Sequence, residues 1–321
     1  MRIAVVTTSY PSFSGDPCGH FVQTHAKKLA PRGDVVVIAP ERDPALPLDR
    51  NDKALRDSLR VCRLPAYGAF GWPGALARIR SRPYRLVGAL KWALLARQAL
   101  ASLSPLDLVV AHWAFPCGWP IAHDRGVTLE LVSHGQDVRS LARFPRPLRN
   151  RIVRTLLLRT DTWTFVSSSL YEELARALST DETRRLEVIA RIEPCSIEIP
   201  DVADAARALR AAHSDARLFV CVGRLVPSKR VDRILDHVER ERAAGTHARL
   251  VVVGDGPLRP RLERQARSSK LDAIFVGRTT RNVALAWIAA ADMVLHASEA
   301  EGLSTVKREA EALGIPYASI A

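Results

Sequence analysis

The sequence is punctuated by short apolar runs, several of which lead through a turn of small or polar residues into a helical pattern. They are Ile3–Thr7, Val35–Ile38, Asp107–Trp113, Leu129–Ser133, Trp163–Ser168, Val188–Ala190 as the last of the first half, Leu218–Val222, Leu250–Val253, Ile274–Gly277 and Met293–Leu295. Continuous Val, Ile and Leu without polar alternation suits strands buried on both faces, and such strands belong to parallel sheets covered by helices. Strand alternating with helix therefore points to an α/β architecture. The 321 residues give room for about two domains.

In open parallel sheets ligands bind past the carboxyl ends of the strands, so the turns there are where chemistry is expected. The richest turn follows Met293–Leu295 and runs from Ala297 to Pro316. Glu301, Gly302, Leu303 and Ser304 lead into a helix that opens at Ser304 or Thr305 and closes at Gly314. A glycine lets backbone approach a ligand, and the free N–H groups of a helix start attract anions. Glu301 before the helix and Glu309 in its second turn can bracket a ligand that carries phosphates at the helix start and hydroxyls on the carboxylates. Phosphate plus polyol describes a sugar nucleotide.

Two other turns in this half have related features. Gly223-Arg224-Leu225-Val226-Pro227-Ser228-Lys229 sets two cations beside a strand-to-helix turn, where charge-assisted hydrogen bonds to a diphosphate contribute roughly 1.5–3 kcal/mol each. Gly254-Asp255-Gly256-Pro257 follows the next strand, but Arg259 stands where a dinucleotide fingerprint needs its third glycine.

The first half opens as a βαβ unit. Gly15 and Gly19 lie in its first loop at a spacing that disfavours NAD, and the loop is either a close-approach surface for a ligand or a simple turn. His112 ends the run Asp107–Trp113, and His134-Gly135-Gln136-Asp137 follows the run Leu129–Ser133. One strand-end histidine is commonly structural; two at equivalent places point to a site.

Taken together these motifs resemble the retaining glycosyltransferases of family 4. Glu301 and Glu309, followed by Ala310, Gly314 and Pro316, look like that family's paired-glutamate motif. Gly223 to Lys229 resembles its Gly-Arg-Leu and Lys-Gly signature, Gly254 to Pro257 its Gly-x-Gly-Pro turn, and His134 to Asp137 its His-Gly-x-Asp loop. The segments occur in the family's order over nearly the whole chain. The resemblance implies the GT-B fold, two Rossmann-like domains with parallel sheets facing across a cleft, here an acceptor-side domain at 1–195 and a nucleotide-sugar domain at 196–321.

It further implies transfer of a sugar from a nucleotide-diphosphate sugar to a glycan or lipid-linked hydroxyl, with retention of configuration. No metal or other cofactor is expected, and no Asp-x-Asp lies near the sites. Gly223, Arg224, Lys229, Gly254, Gly256, Glu301, Gly302, Leu303, Ser304 and Glu309 would hold the donor, with Arg224 and Lys229 on the diphosphate and Glu301 orienting the sugar. Gly15, Gly19, His112, His134 and Asp137 would line the acceptor side, with His134 nearest the chemistry. The sequence departs from the family at Arg230, where glycine is usual, and in Glu193–Glu198, which lacks the usual glycine. It ends in the run Tyr317–Ile320, before the terminal helix the family carries, so a shortened and non-catalytic relative is the alternative reading.

The net charge of +13 calls for an acidic partner. Phosphates or anionic lipid suit it, because no nucleic-acid-binding module is recognisable. From Phe70 to Leu103, Trp72, Arg78, Arg80, Arg82, Arg85, Lys91, Trp92 and Arg97 interrupt aliphatic residues; the stretch either lies on an anionic membrane or is a domain helix with a solvated basic face. Arg143 to Arg159, with six arginines, offers the same alternatives. Five scattered cysteines, no signal-peptide core and no membrane-length apolar run imply a cytoplasmic protein, with the inner membrane face as a further place of attachment.

Overall fold

The computed structural model describes residues 1–42, 59–72, 74–122, 126–298 and 304–320. The chain divides into two compact units, Met1–Ser196 and Ile197–Ala321.

In the first unit the apolar runs become strands β1 (Arg2–Val6), β2 (Asp34–Pro40), β3 (Arg60–Leu64), β4 (Leu108–His112), β5 (Thr128–Ser133), β6 (Thr162–Phe165) and β7 (Ala190–Ile192). Among the described residues they form one parallel sheet in the order β3-β2-β1-β4-β5-β6-β7. The helices are α1 (His20–Leu29), α2 (Ala75–Ser81), α3 (Arg85–Ser102), α4 (Gln136–Arg143), α5 (Arg146–Arg159), α6 (Ser168–Ala175) and α7 (Thr180–Ile189). Ile3, Val5, Val37, Leu108 and Val110 are buried against Val22, Ala26 and Leu29 of α1, which is why these strands carry no polar alternation.

The second unit contains α8 (Ala203–Ala212), β8 (Arg217–Val222), α9 (Val231–Ala243), β9 (Ala248–Val253), α10 (Arg259–Ser268), β10 (Ala273–Gly277), α11 (Arg281–Ala290), β11 (Met293–His296), α12 (Thr305–Ala312) and β12 (Tyr317–Ser319). Its parallel sheet runs β10-β9-β8-β11-β12. One core cluster joins Phe219, Leu250 and Val252 to α9 and α10; another joins Leu218, Val220 and Val251 to α8, α11 and α12. Strand residues thus alternate between two apolar layers.

Each sheet has one place where its strand order reverses. In the first unit the chain goes from β1 outward through β2 and β3, then returns to the other side of β1 as β4. In the second it goes from β8 through β9 and β10, then returns beside β8 as β11. The connections from neighbouring strands part company at such a point and leave a crevice beyond the carboxyl ends.

Three sequence expectations are corrected. Val188–Ala190 is not the last strand of the first unit: α7 continues through Ile189 and β7 starts at Ala190. A capping box between Ser179 and Glu182 starts that helix and Leu186 and Ile189 anchor it, while Val188 faces solvent. The basic stretch from Phe70 to Leu103 is two helices, because the residue before Pro83 is pushed out of helical geometry and Arg82 is extended. Within it Trp92 and Arg78 are buried, the latter donating to the carbonyls of Gly68 and Trp72 at 2.6 and 2.7 Å. The run Arg143–Arg159 likewise breaks before Pro145, between α4 and α5.

Candidate functional site

At the reversal point of the second unit, the turn after β8 carries Gly223, Arg224 and Lys229, and the turn after β11 leads to Ser304. β8 and β11 are hydrogen-bonded neighbours, so these turns leave the sheet side by side. Lys229 is close enough to His296, the last residue of β11, for its ammonium to oppose protonation of that imidazole. Burial, reinforced by Lys229, lowers the His296 pKa to about 4, so the ring is neutral at physiological pH.

Ser304 accepts the backbone N–H of Lys307 at 3.3 Å and caps α12; its side chain also hydrogen-bonds Tyr317 of β12. The Tyr317 ring lies 5.8 Å from that of His296. A helix start, a neutral imidazole, a phenol and an ammonium thus gather at one sheet end. Glu301, Gly302 and Leu303 lie outside the described residues.

Glu309 is in the second turn of α12 and is buried. Arg281, at the start of α11, donates to its Oε1 twice, from Nε at 3.1 Å and Nη2 at 2.9 Å. Both side chains are about nine-tenths buried, at 12% and 8% exposure. Burial pushes the Glu309 pKa up and the guanidinium pulls against it. Sequence reasoning found the carboxylate and missed its partner; the two are 28 positions apart, and only the packing of α11 on α12 joins them.

Gly254 and Gly256 are needed by the backbone itself. A Cβ on Gly254 would sit 1.9 Å from the Gly223 carbonyl oxygen, and one on Gly256 would sit 2.4 Å from that of Leu225. Both have positive φ, and Leu225 N–H donates to the Asp255 carbonyl at 2.8 Å. The Gly-Asp-Gly-Pro turn therefore braces the turn that holds Arg224 and Lys229. Gly223, unlike Gly254 and Gly256, has open space where a Cβ would point. Arg230 adopts a left-handed conformation, φ 45°, which explains why glycine would be at home there.

In the first unit the reversal point brings the loop after β1 against the end of β4. Asp16 pins that loop by accepting the N–H groups of Ser12 and Cys18, each at 3.0 Å. Gly15 turns it with φ 84°, and Gly19 starts α1 with φ 72°, where a Cβ would meet the Ser9 carbonyl oxygen at 2.4 Å. His112 ends β4 and His134 follows β5; their rings are nearly coplanar, 10° apart, with His112 Nδ1 2.9 Å from His134 Nε2. Phe21 and Trp113 rings flank His134 at 4.7 and 5.0 Å.

His112 is buried with both nitrogens taken, the second by His25 Nδ1 at 3.1 Å. Asp137 is also buried; its carboxylate accepts the N–H groups of Ala114 at 2.8 Å and Gly135 at 3.1 Å. Both residues hold the loops that carry His134. Burial raises the Asp137 pKa against those donors and pushes the thiol of neighbouring Cys117 up. His25 escaped sequence reasoning because it lies within α1 and not in a turn at a strand end.

Residues 19–191 match the family profile described as Glycosyltransferase Family 4, and residues 216–320 match Glycosyl transferases group 1. A GDP-mannose-dependent alpha-mannosyltransferase of Mycobacterium tuberculosis is 30% identical over 98% of this chain and 78% of its own length. A candidate teichuronic acid biosynthesis glycosyltransferase of Bacillus subtilis, TuaC, is 25% identical over 98% of this chain and 80% of its own. Among solved structures, sucrose-phosphate synthase from Thermosynechococcus elongatus superposes with a TM-score of 0.71 at 20% identity, covering 99% of this chain and 80% of that one.

Proposed function

The chain belongs to the family 4, group 1 glycosyltransferases and has their GT-B fold, and from that premise we propose that it transfers a sugar with retention of configuration from a nucleotide-diphosphate sugar to a hydroxyl of a glycan or lipid-linked saccharide. The observation that carries this reading is the convergence at the end of β8 and β11, where Lys229 acts on His296 beside the capped start of α12.

The diphosphate would be met by Arg224, Lys229 and the N–H groups of α12, a set of fixed donors that neutralises the leaving group without requiring a metal ion. Glu309 presents Oε2 to the ribose diol while Arg281 holds Oε1. Glu301 orients the donor sugar. As carbon–oxygen cleavage places charge on the diphosphate, the preorganised cations stabilise that charge, and the acceptor oxygen attacks from the same face. His134 receives the acceptor hydroxyl as a neutral hydrogen-bond partner. The test is to supply UDP-, GDP- and ADP-sugars with simple glycoside acceptors and follow products by proton NMR. Release of a nucleoside diphosphate together with a product of the donor's own anomeric configuration supports the proposal; inversion refutes retention.

The acceptor class is suggested by α3. Leu86, Leu90 and Leu94 lie at four-residue spacing and are 51–64% exposed, with Tyr84 and Val87 beside them and exposed Arg82 and Lys91 at the margins. An apolar helix stripe with basic flanks suits an anionic membrane surface on the cytoplasmic side, each cation adding about 1 kcal/mol there. Among the described residues no helix is long and apolar enough to cross a membrane. Cosedimentation with anionic vesicles, lost on Leu90→Ser with Leu94→Ser, is the expected outcome; equal pelleting of wild type and variant refutes the assignment.

A further inference from the structure

Three histidines from three different elements meet in the first unit: His25 of α1, His112 at the end of β4 and His134 past the end of β5. His25 Nδ1 lies 3.1 Å from His112 Nε2, and His112 Nδ1 lies 2.9 Å from His134 Nε2. We infer that these rings form one tautomer-coupled string, in which His25 and His112 are positioning residues that determine which nitrogen of His134 carries its proton and lead the acceptor's proton away from it. The second half of this statement rests on the placement of His134 at the acceptor; the first does not.

The coupling follows from counting protons. A neutral imidazole has one N–H and one lone pair. His112 uses both nitrogens inside the string, so it either donates from Nε2 to His25 and accepts from His134, or donates from Nδ1 to His134 and accepts from His25. Each link needs one donor and one acceptor. The three rings therefore carry their protons all on Nε2 or all on Nδ1, and His134 cannot change tautomer alone.

The charged neighbours select the state. Glu193 faces His25 and favours a proton there, while Lys28 and Arg32 oppose it more weakly; Lys28 also donates to Ser196 at 2.6 Å. Around His112 and His134 the facing titratable groups are the string's own rings, and Phe21 and Trp113 supply apolar walls. With His25 Nδ1 engaged by His112, a proton drawn onto His25 by the Glu193 charge sits on the outer nitrogen, Nε2, and the string then carries its protons on Nε2. His134 Nδ1 is then left with a lone pair, the form that accepts a hydroxyl.

This arrangement answers a difficulty in the site. Burial takes the His134 pKa down to about 3, and burial lowers His112 and His25 as well. A lone imidazole with its pKa held that low is a weak acceptor for a proton removed from a hydroxyl. The string does not have to hold that proton. As the acceptor oxygen bonds to the anomeric carbon, the bond from that carbon to the phosphate oxygen breaks and its electron pair leaves with the diphosphate. The hydroxyl proton passes to His134 Nδ1, the His134 Nε2 proton to His112 Nδ1, the His112 Nε2 proton to His25 Nδ1, and the His25 Nε2 proton to water. All three rings are neutral before and after, and the reverse shift through water restores the start.

The test begins with the full chain carrying nitrogen-15 histidine. Long-range proton–nitrogen NMR distinguishes Nδ1–H from Nε2–H rings. His25, His112 and His134 should share the Nε2–H form. In His25→Phe, His112 and His134 should lose that uniform state together, while His213 and His237 of the second unit stay unchanged. His25 is only half-buried, so this variant keeps the fold; His25→Gln serves as a second, smaller change. Mixed tautomers among the three wild-type rings, or no response at His134 in both variants, overturns the coupling. With a transferring donor and acceptor, the solvent isotope effect on kcat should vary non-linearly with deuterium fraction in wild type and linearly in His25→Phe. His25→Phe should lower kcat by up to roughly 10²-fold with KM unchanged. A linear inventory in wild type overturns the proton-transfer role, whereas an absence of transfer with the NMR response intact refutes the proposed transfer activity and leaves the coupling standing.

Discussion

Replacing Arg281 by methionine isolates the energetics of the buried carboxylate on α12. The guanidinium supplies both charge-assisted bonds to Glu309 Oε1, and both side chains are about nine-tenths buried. Without it Glu309 must either remain charged in an apolar setting or take up a proton. Protonation sets the ceiling. Starting from an ordinary carboxyl value of 4.5, holding the group neutral at pH 7 costs about 2.5 × 1.36, or roughly 3.4 kcal/mol. That is the lower part of the range of about 3–5 kcal/mol seen when one partner of a buried pair is removed.

The sign follows from the raised pKa. A carboxyl whose folded pKa lies above its unfolded value costs stability above the unfolded value, and the cost disappears as pH falls toward it. The variant should therefore be less stable than wild type by up to about 3 kcal/mol at pH 7, and by under about 1 kcal/mol at pH 5. Urea titrations followed by fluorine NMR of labelled tryptophan provide the assay, because Trp287 of α11 is the one tryptophan after residue 197 and reports the second unit. Adding Glu309→Gln should restore most of the loss. A destabilisation that is the same at pH 5 and pH 7 would refute the reasoning.

Two further outcomes are expected. Arg230→Gly should stabilise the second unit by about 1 kcal/mol in thermal or urea unfolding, since it relieves a left-handed backbone at the expense of an exchangeable 3.3 Å ion pair with Asp232; destabilisation would show that the ion pair matters more than the backbone. Below pH 6.5 the unfolded chain binds protons that His134 and His296 refuse until about pH 3 and 4, so each should remove up to about 2.7 kcal/mol from its own unit between pH 6.5 and 4.5. His296→Gln should flatten the acid limb of the second unit in urea titrations, and an unchanged slope would contradict the shift.

The turns were legible because the residues they need are local. Gly223 to Lys229 and Gly254 to Pro257 follow apolar strands, and His134 to Asp137 does the same, so composition and position along the chain locate them. What escaped depends on packing between distant segments. Arg281 meets Glu309 across two helices, and His25 meets His112 across 87 positions. Burial also changed the meaning of residue types. Trp92 and Arg78 looked interfacial from composition and are core, whereas Leu86, Leu90 and Leu94 of α3 are exposed. Val188 looked like strand because local β-propensity competes poorly with a capping box and two buried anchors.

The central claim is that the end of β8 and β11 holds a nucleotide diphosphate. It is tested most directly by calorimetric titration of the full chain with UDP, GDP and ADP and their sugar conjugates, alongside Arg224→Ala and Glu309→Ala. Binding to the folded state alone also raises stability by about 2.7 kcal/mol at 100 Kd, a parallel readout by thermal shift. The account predicts saturable binding of one nucleotide family, lost in Arg224→Ala and weakened in Glu309→Ala while both variants remain folded. No binding of any nucleotide by the folded wild-type chain, or binding indifferent to both substitutions, would contradict it.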